Sequence, residues 1–155
     1  MRASVFTLRD PELGRDALYL AQHLRERDTT EVLAVAESVI DSIDAAIMAS
    51  PICAVACIGD RPVFVIGCAP LPEREGMGVP WLLATDEVTA HRGALTKITK
   101  HYVGLFLERW PALLNYVDQR NTDSVRWLQR LGFTIGEPVA FGRQGEPFHP
   151  FTMGL

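Results

Sequence analysis

Long basic runs are absent from this chain of 155 residues, whose formal net charge is -4. A protein that tracks nucleic-acid phosphates needs clustered Lys and Arg, so we expect no nucleic-acid partner. No segment is apolar over the roughly eighteen residues that a membrane span needs, so we expect no membrane partner. The start, "MRASVFTLRD", has no apolar core of a secretory signal. These absences predict a cytoplasmic protein.

Only three cysteines occur, with no Cys-x-x-Cys pair and no histidine at zinc-ligand spacing. We therefore expect no metal site and interpret Cys53, Cys57 and Cys68 as small core residues. If the hairpin described below turns at Asp60 and Arg61, then Cys53 and Cys68 lie opposite each other on its two strands. A reducing compartment keeps such a pair as thiols.

The composition is that of one ordinary globular domain. Hydrophobic residues make up 48% of the chain and charged residues 22%, and a chain of this length can bury a core of its own. No internal repeat, low-complexity tract or linker divides the sequence. We expect a single domain over residues 1–155.

The first third of the chain predicts a strand and two helices. The residues "SVFTL" alternate as a short strand does. Asp10 followed by Pro11 is typical of a helix start, which predicts a first helix to about Arg25. The stretch "DTTE", Asp28 to Glu31, resembles a capping box, and apolar residues then recur at helical spacing as far as Ile47. A second, continuous helix is therefore expected.

The rest of the chain predicts strands separated by two helices. Two β-branched runs around "GDR" indicate a hairpin, and a third buried run follows a loop with glycine and proline. An amphipathic helix is expected after Asp86, as far as Trp110. The other segments are, in order, the strands "PICAVACI", "PVFVIGCA", "PWLLATD" and "LLNYVDQ", the helix "TDSVRWLQRL" and the terminal strand pair "FTIGEPVAF" and "PFHPFTM".

This element order predicts the architecture. The strand-helix-strand unit from Trp81 to Val117 needs a right-handed crossover, and therefore a parallel strand pair, whereas the earlier strands are antiparallel. We expect an α/β protein of the mixed α+β type, with a central mixed β-sheet flanked by helices. Phe148 and Phe151 in the tail are spaced to cover a sheet edge or a partner, and closure of the core is the favoured interpretation.

The element order, together with "NTDSVRWLQRLGF" from Asn121 to Phe133, resembles the GNAT family of acetyl-CoA-dependent N-acyltransferases over nearly the whole chain. Asn121 can cap the helix and turn its amide towards a pantetheine chain, and Ser124 leaves room for that chain. Gly132 can adopt the positive φ of a helix end, and Phe133 then enters the core. An ordinary helix-to-strand joint explains the same residues almost as well.

The family's phosphate-binding loop and helix start correspond to "TDEVTAHRGALTK". Its Arg-Gly-x-Gly pattern is matched in part, because Leu95 stands where a second glycine is usual. A leucine there is expected to hinder the approach of the cofactor's phosphates. A capped, charged helix start is the alternative interpretation. The residues that the resemblance implies for this site are Arg92, Gly93, Ala94, Leu95, Thr96 and Lys97.

The strand before that loop resembles the family's splayed strand, whose backbone pairs with the pantetheine arm. The resemblance implies that Leu83, Ala84 and Thr85 supply these backbone groups. Many family members carry a tyrosine acid in the last helix, where this chain has Leu128. Ser124 or Tyr116 are candidate substitutes.

A base is also needed, because acylation by a thioester requires a neutral amine. Asp86 at the mouth of the strand is the candidate base, with Glu87, His91 and His101 as further candidates. Each has an ordinary structural explanation: Asp86 as a helix cap, Glu87 as a partner of the helix dipole, and the histidines as solvated helix residues.

A closer resemblance concerns Val79 to Phe151, through "PWLLATDE", "LLNYVDQRN", "RWLQRLGF" and "GEPFHPF". These segments look like small GNAT-like proteins of short-tailed bacteriophages, which act in virion assembly or as internal virion proteins. Two hypotheses follow. The first is acetyl-CoA binding with acetyl transfer to a small-molecule or protein amine. The second is a catalytically degenerate protein that binds virion or host proteins, in the host cytoplasm or the virion.

Overall fold

The computed structural model describes residues 4–154, which form eight strands and five α-helices. A 3-10 turn, Asp86–His91, precedes α4. The strands are β1 Thr7–Arg9, β2 Ile52–Ile58, β3 Arg61–Pro70, β4 Met77–Ala84, β5 Ala112–Asp118, β6 Thr134–Ile135, β7 Val139–Ala140 and β8 Pro147–Met153. The helices are α1 Arg15–His23, α2 Glu26–Val35, α3 Val39–Ala49, α4 Arg92–Arg109 and α5 Thr122–Leu131.

The eight strands form one mixed sheet in the order β1-β2-β3-β4-β5-β8-β6, with β7 paired to β8. Only β4 and β5 run parallel among the pairs of residues 4–154, and the other pairs are antiparallel. The predicted mixed sheet and its parallel crossover are confirmed. The terminal strands pair as expected, with β8 inserted between β5 and β6, but the predicted strand "FTIGEPVAF" is two short strands, β6 and β7, which both pair with β8.

Helices cover both faces of the sheet. On one face, α1 and α3 pack against β2 and β3 through a small cluster that includes Leu20, Ile43 and Val65. On the other face, α4 and α5 form the larger core with Phe64 and Phe106. Within residues 4–154, none of the helices has both the length and the apolar character needed to cross a bilayer.

The start of the first helix differs from the prediction. It begins at Arg15 with Gly14 as N-cap, and not at Asp10 and Pro11. Asp16 explains the difference: its buried carboxylate accepts two hydrogen bonds from the Arg9 guanidinium and one from the Glu12 N–H. This buried ion pair holds the segment before the helix in a turn.

The predicted second helix is two helices. α2 ends at Val35, and α3 begins after Ser38, whose Oγ accepts a hydrogen bond from the Asp41 N–H over 3.2 Å. The expected capping box is also wrong, because Asp28 and Glu31 lie inside α2, which starts at Glu26. Their carboxyl groups accept backbone N–H groups of the sheet instead of their own helix.

The cysteine register is also shifted from the prediction. The hairpin turns at Gly59 and Asp60, and not at Asp60 and Arg61. A bulge between Ala56 and Cys57 corrects this offset only in part, so Cys53 faces Gly67 and not Cys68. All three cysteines are free thiols, and burial raises the pKa of both Cys53 and Cys68 to about 12. They remain core residues, as interpreted from the sequence.

The end of α5 and the tail follow the sequence predictions. Gly132 adopts a φ of 105° as the C-cap of α5, and Phe133 is buried directly after it. Phe148 and Phe151 are 2% and 8% exposed. The tail aromatics therefore close the core.

Two glycines provide a matched test of packing at the parallel pair. A Cβ on Gly78 of β4 would lie 2.9 Å from Cys68 Sγ and 2.9 Å from the Trp110 ring, both buried. A Cβ on Gly104 of α4 would meet nothing within 4 Å. We expect Gly78→Ala to lower the free energy of unfolding by about 1–3 kcal/mol through overpacking. Gly104→Ala should raise it by about 0.5–1 kcal/mol through helix propensity.

Urea denaturation of both variants measures these changes. Equal, small effects at both positions would contradict the close approach of β4 to Trp110.

Candidate active site

The two parallel strands separate soon after they meet. β4 and β5 pair at only two positions, both near their amino ends. Beyond this point Pro80 has no N–H to donate, and Asn115 Nδ2 donates to the Pro80 carbonyl over 2.6 Å. The side chain of Asn115 thus bridges the two strands where they begin to diverge.

A cavity of about 770 Å³ opens in the gap between the separated strands. Ser42 and Ala46 of α3 line it from one face of the sheet. Leu95 of α4, with Trp127 and Leu128 of α5, lines it from the other face. The volume lies within the range of small-molecule sites, about 300–1,000 Å³. The cavity therefore connects the two faces through the sheet.

Helix α2 closes the carboxyl edge of this gap with two side chains. The Asp28 carboxylate accepts the Ala84 N–H over 2.8 Å, at the end of β4. The Arg25 N–H donates to the Ala84 carbonyl over 2.9 Å. Glu31 Oε1 accepts the Asp118 N–H over 2.9 Å, at the end of β5. α2 thus takes the place of a strand partner on the separated side.

These contacts change which backbone groups of β4 can meet a ligand. The sequence predicts Leu83, Ala84 and Thr85. However, α2 engages both backbone groups of Ala84, and the Thr85 N–H donates to the Val63 carbonyl over 2.8 Å. Peptide groups alternate in direction along an antiparallel strand, so Leu83 is directed towards β3 and Leu82 into the gap. The backbone N–H and carbonyl of Leu82 are therefore the groups of β4 that can meet a ligand in the gap.

At the start of α4, half of the predicted phosphate-binding residues reach the cavity. Those that line it are Arg92, Leu95 and Thr96. Those outside its lining are Gly93, Ala94 and Lys97. Leu95 is buried in the core, so its side chain does not cover the exposed start of the helix. A Cβ on Gly93 would meet nothing within 4 Å, so no close backbone approach requires glycine there.

Asn121 begins α5 as the sequence predicts. Its Oδ1 accepts the Ser124 N–H over 3.3 Å, and its Nδ2 donates to Glu31 Oε1 over 3.3 Å. The amide therefore holds α2, and is not free for a pantetheine chain. Asn121 and Ser124 both line the cavity. Further along α5, Trp127 Nε1 donates to Thr96 Oγ1 over 3.0 Å and joins α5 to α4.

Two of the three predicted catalytic residues lie at the cavity. Ser124 and Tyr116 line it, and Tyr116 stacks on Phe141 with ring centroids 4.1 Å apart. Asp86 is exposed at the first residue of the 3-10 turn, outside the cavity, and caps no helix. Leu128 is buried and lines the cavity, so no proton donor occupies the place of the family's tyrosine.

The further base candidates also lie outside the cavity lining. Glu87 forms an ion pair with Arg61 over 2.6 Å, which lowers the pKa of Glu87. His91 packs edge-on against Phe6. His101 is exposed on α4. Only His101 matches its expected role as a solvated helix residue, because Glu87 pairs with Arg61 of β3 and His91 is half-buried against Phe6.

Basic side chains gather where α4 and α5 line the cavity. They are Arg92, Lys100, Arg126 and Arg130. Asp123 is the one acidic residue that these two helices add to the lining, and it lies 4.0 Å from Arg126. This side of the cavity favours an anionic ligand. Within residues 4–154, no three His, Cys, Asp or Glu side chains are placed to hold a metal ion.

The two carboxyl groups of α2 that line the cavity, Asp28 and Glu31, both have raised pKa values because they are buried. For Asp28, which is 4% exposed, the Arg25 guanidinium and the Ala84 N–H oppose the effect of burial. For Glu31, burial raises the pKa from 4.5 to about 7, the charges of Asp28 and Asp118 add to it, and the Asp118 N–H opposes it. Glu31 therefore exchanges a proton near neutral pH.

Sequence reasoning missed the part that α2 and Asn115 take in this site. One signal was present: Asp28, Glu31, Val32 and Val35 follow the spacing of a buried helical stripe. Carboxyl groups at such positions are rarely buried without a partner. The partners are backbone N–H groups of β4 and β5, and strand ends distant in sequence carry no local signal for them.

Solved acetyltransferases share this fold. The GNAT-family acetyltransferase from Bacillus anthracis superposes with a TM-score of 0.71 over 98% of this chain and 96% of its own, at 9% identity. The ribosomal-protein-S5-alanine acetyltransferase from Vibrio fischeri superposes with a TM-score of 0.68 over 99% of this chain and 94% of its own, at 12% identity. An agmatine N-acetyltransferase superposes with a TM-score of 0.70 over 98% of this chain and 100% of its own, at 12% identity.

No protein-family model and no curated protein sequence matches this chain. The structural likeness defines the class of fold. The chain adopts the fold of GNAT acetyltransferases, a central mixed sheet flanked by helices. The cavity lies at the separation of its parallel strand pair.

The raised pKa of Glu31 predicts a pH-dependent stability. Between pH 4.5 and about 7 the folded chain holds a proton that the unfolded chain has lost, so the free energy of unfolding falls as pH rises. The full effect is at most about 3 kcal/mol. In Glu31→Gln, the amide oxygen still accepts the Asp118 N–H and this pH dependence is removed. The free energy of unfolding of the variant, taken relative to wild type, should therefore be about 2–3 kcal/mol higher at pH 8 than at pH 5.

Urea denaturation at both pH values measures this gain. Glu26→Gln, an exposed carboxyl on the same helix, is the control and should differ from wild type equally at pH 5 and pH 8. If the free energy of unfolding changed by the same amount in Glu31→Gln and in wild type between pH 5 and pH 8, the raised pKa of Glu31 would be contradicted.

Proposed function

We propose that this protein is an acetyl-CoA-dependent N-acetyltransferase of the GNAT type. The observation that carries the proposal is the cavity that passes through the sheet at the β4–β5 separation. Direct acyl transfer requires a donor and an amine to meet at one point. A cavity lined from both faces of the sheet allows the two substrates to approach from opposite sides.

The residues on the α4 and α5 side fit acetyl-CoA. The first turn of α4 has no side-chain cap, and the positive end of a helix attracts a phosphate. Arg92 and Lys100 add positive charge beside it. Leu82 directs its N–H and carbonyl into the gap, where an extended amide chain can pair with them as a strand does.

The bound cofactor would supply a thioester that is reactive towards amines. The chain itself would position and enclose this group. Asn115 bridges the strands at the Pro80 carbonyl where they begin to diverge. Leu95 and Leu128 make the wall behind them apolar and exclude water. Ser124 and Tyr116 offer hydroxyl groups in the same cavity and are the candidate proton donors to the leaving sulfur.

The acceptor would be a small-molecule or protein amine that enters from the α3 side, beside Ala46 and Trp81. The setting proposed for this activity is the cytoplasm.

A second candidate is a GNAT-like protein without chemistry that acts in virion assembly through virion or host proteins. Two observations support it. Leu128 occupies the place of the family's tyrosine, and the hydrogen bond from Trp127 to Thr96 joins α4 and α5 across the side where a cofactor would lie.

Acetyl-CoA binding distinguishes the two candidates. At a hundredfold excess over the dissociation constant, binding adds about 2.7 kcal/mol of stability, or roughly 5 to 10 °C in Tm for a chain of this size. Arg92→Gln should weaken the affinity measured by calorimetry by about tenfold, because it removes a charge beside the phosphates. No heat and no Tm shift at millimolar acetyl-CoA would contradict the enzyme proposal and favour the second candidate.

The matched control is Arg109→Gln. Arg109 lies at the far end of α4, about 25 Å from Arg92 along the helix axis. Its guanidinium contacts Trp110 and not the cavity. Acetyl-CoA affinity should be unchanged in this variant. An equal loss in both variants would show that binding follows overall charge and not this site.

A further inference from the structure

We propose that Glu31 binds the ammonium group of the acceptor and removes its proton, and that the acceptor is a primary amine on an apolar or aromatic body. This inference rests on the proposed function. It adds a catalytic residue on α2 and a class of acceptor. The supporting features are the free oxygen of Glu31, the pairing of the other cavity carboxylates and the aromatic wall beside them.

The two oxygens of Glu31 are in different environments. Oε1 accepts the Asp118 N–H over 2.9 Å and the Asn121 Nδ2 over 3.3 Å, which fixes the carboxyl group. Oε2 has no hydrogen-bond partner among residues 4–154, and it is not sealed from solvent. Glu31 lines the cavity. One oxygen therefore orients the group, and the other is accessible to a ligand.

Among the described residues, Glu31 is also the one carboxyl group of the cavity lining that forms no ion pair with an Arg or Lys side chain. Three carboxyl side chains line the cavity within residues 4–154: Asp28, Glu31 and Asp123. Asp28 is paired with Arg25 at 2.9 Å, and Asp123 lies 4.0 Å from Arg27 and from Arg126. No ion pair forms at Glu31 among these residues, so an ammonium group of a ligand would be its first cationic partner.

The charges around Glu31 suit it to proton exchange. Asp28 on α2 and Asp118 at the end of β5 disfavour its ionised form, and Arg120 after β5 favours it. Arg25 is engaged by Asp28, and Asp118 holds Arg120 at 2.6 Å. Together with burial, these groups give Glu31 a pKa of about 7. A base with this pKa is matched to work near neutral pH.

The wall beside Glu31 indicates the body of the acceptor. Tyr116 and Phe141 stack at 4.1 Å, and Phe148 packs against Phe141 at 5.3 Å. All three rings line the cavity, together with Val32 and Val35. Such a wall favours apolar and aromatic groups over polyhydroxylated ones. Aromatic faces also attract a cation before it is deprotonated.

Proton transfer through Glu31 conserves atoms and charge. One proton of the ammonium passes to Glu31, and the neutral nitrogen attacks the thioester carbonyl carbon. The C–N bond forms and the C–S bond breaks. The second proton leaves the nitrogen for the thiolate sulfur, and Glu31 releases its proton to solvent. The products are an amide and a thiol, and no oxidant or reductant is consumed.

Phenethylamine is a suitable probe, because it carries a primary ammonium on an aromatic body. We expect calorimetry at pH 7.5, without acetyl-CoA, to show phenethylamine binding to wild type. Binding should be at least tenfold weaker in Glu31→Gln and unchanged in Glu26→Gln, the exposed carboxyl of the same helix. The neutral analogue 2-phenylethanol should bind wild type and Glu31→Gln equally. Carbon-detected NMR of wild type should show the Glu31 carboxyl titrating near pH 7 and shifting downward on addition of phenethylamine.

The outcomes separate this inference from the proposed function. Acetyl-CoA binding that is retained in Glu31→Gln, with phenethylamine binding lost, supports both. Equal phenethylamine affinity in wild type and Glu31→Gln overturns the role of Glu31, and absence of binding at 10 mM overturns the acceptor class, while acetyl-CoA binding by wild type still supports the proposed function. If wild type acetylates phenethylamine, its kcat/KM should rise with pH through a pKa near 7. This rise should be absent in Glu31→Gln.

Discussion

The structure depends on how the backbone groups at the separated ends of β4 and β5 find partners. Buried N–H and carbonyl groups must be hydrogen-bonded, and two strands that diverge lose each other as partners. Asn115 bridges the gap near its start, and Asp28 and Glu31 of α2 accept N–H groups at its carboxyl edge. Because these side chains meet the backbone requirement, the gap can persist as a cavity.

The position of α2 follows from the same constraint. The helix is tied to the end of β4 at Ala84 and to the end of β5 at Asp118, so it must end before the chain turns into α3. The carboxyl groups that hold the fold thus face the candidate site, which gives Glu31 both a fixed position and a proton that exchanges near neutral pH.

Local patterns predicted the elements well where each residue's role depends on its neighbours in sequence. Asn121 caps α5, Gly132 ends it with a positive φ, and the hairpin and crossover strands appear where their patterns place them. The errors lie where a distant group is the partner. The buried Asp16 carboxylate pairs with Arg9, and the Asp28 and Glu31 carboxyl groups accept N–H groups at the ends of β4 and β5. None of these interactions has a local pattern.

The sequence by itself determined the class of fold, because element order, the right-handed crossover rule and the alternation of apolar residues leave few arrangements of such a sheet. Ser124 and Tyr116, which the family resemblance suggested as candidates, both line the cavity. Only the tertiary structure decided that Leu82 offers the open backbone groups, that Asp86 lies outside the cavity and that Glu31 lies within it. The physical reason is that burial, pKa and hydrogen-bond partners depend on segments far apart in the chain.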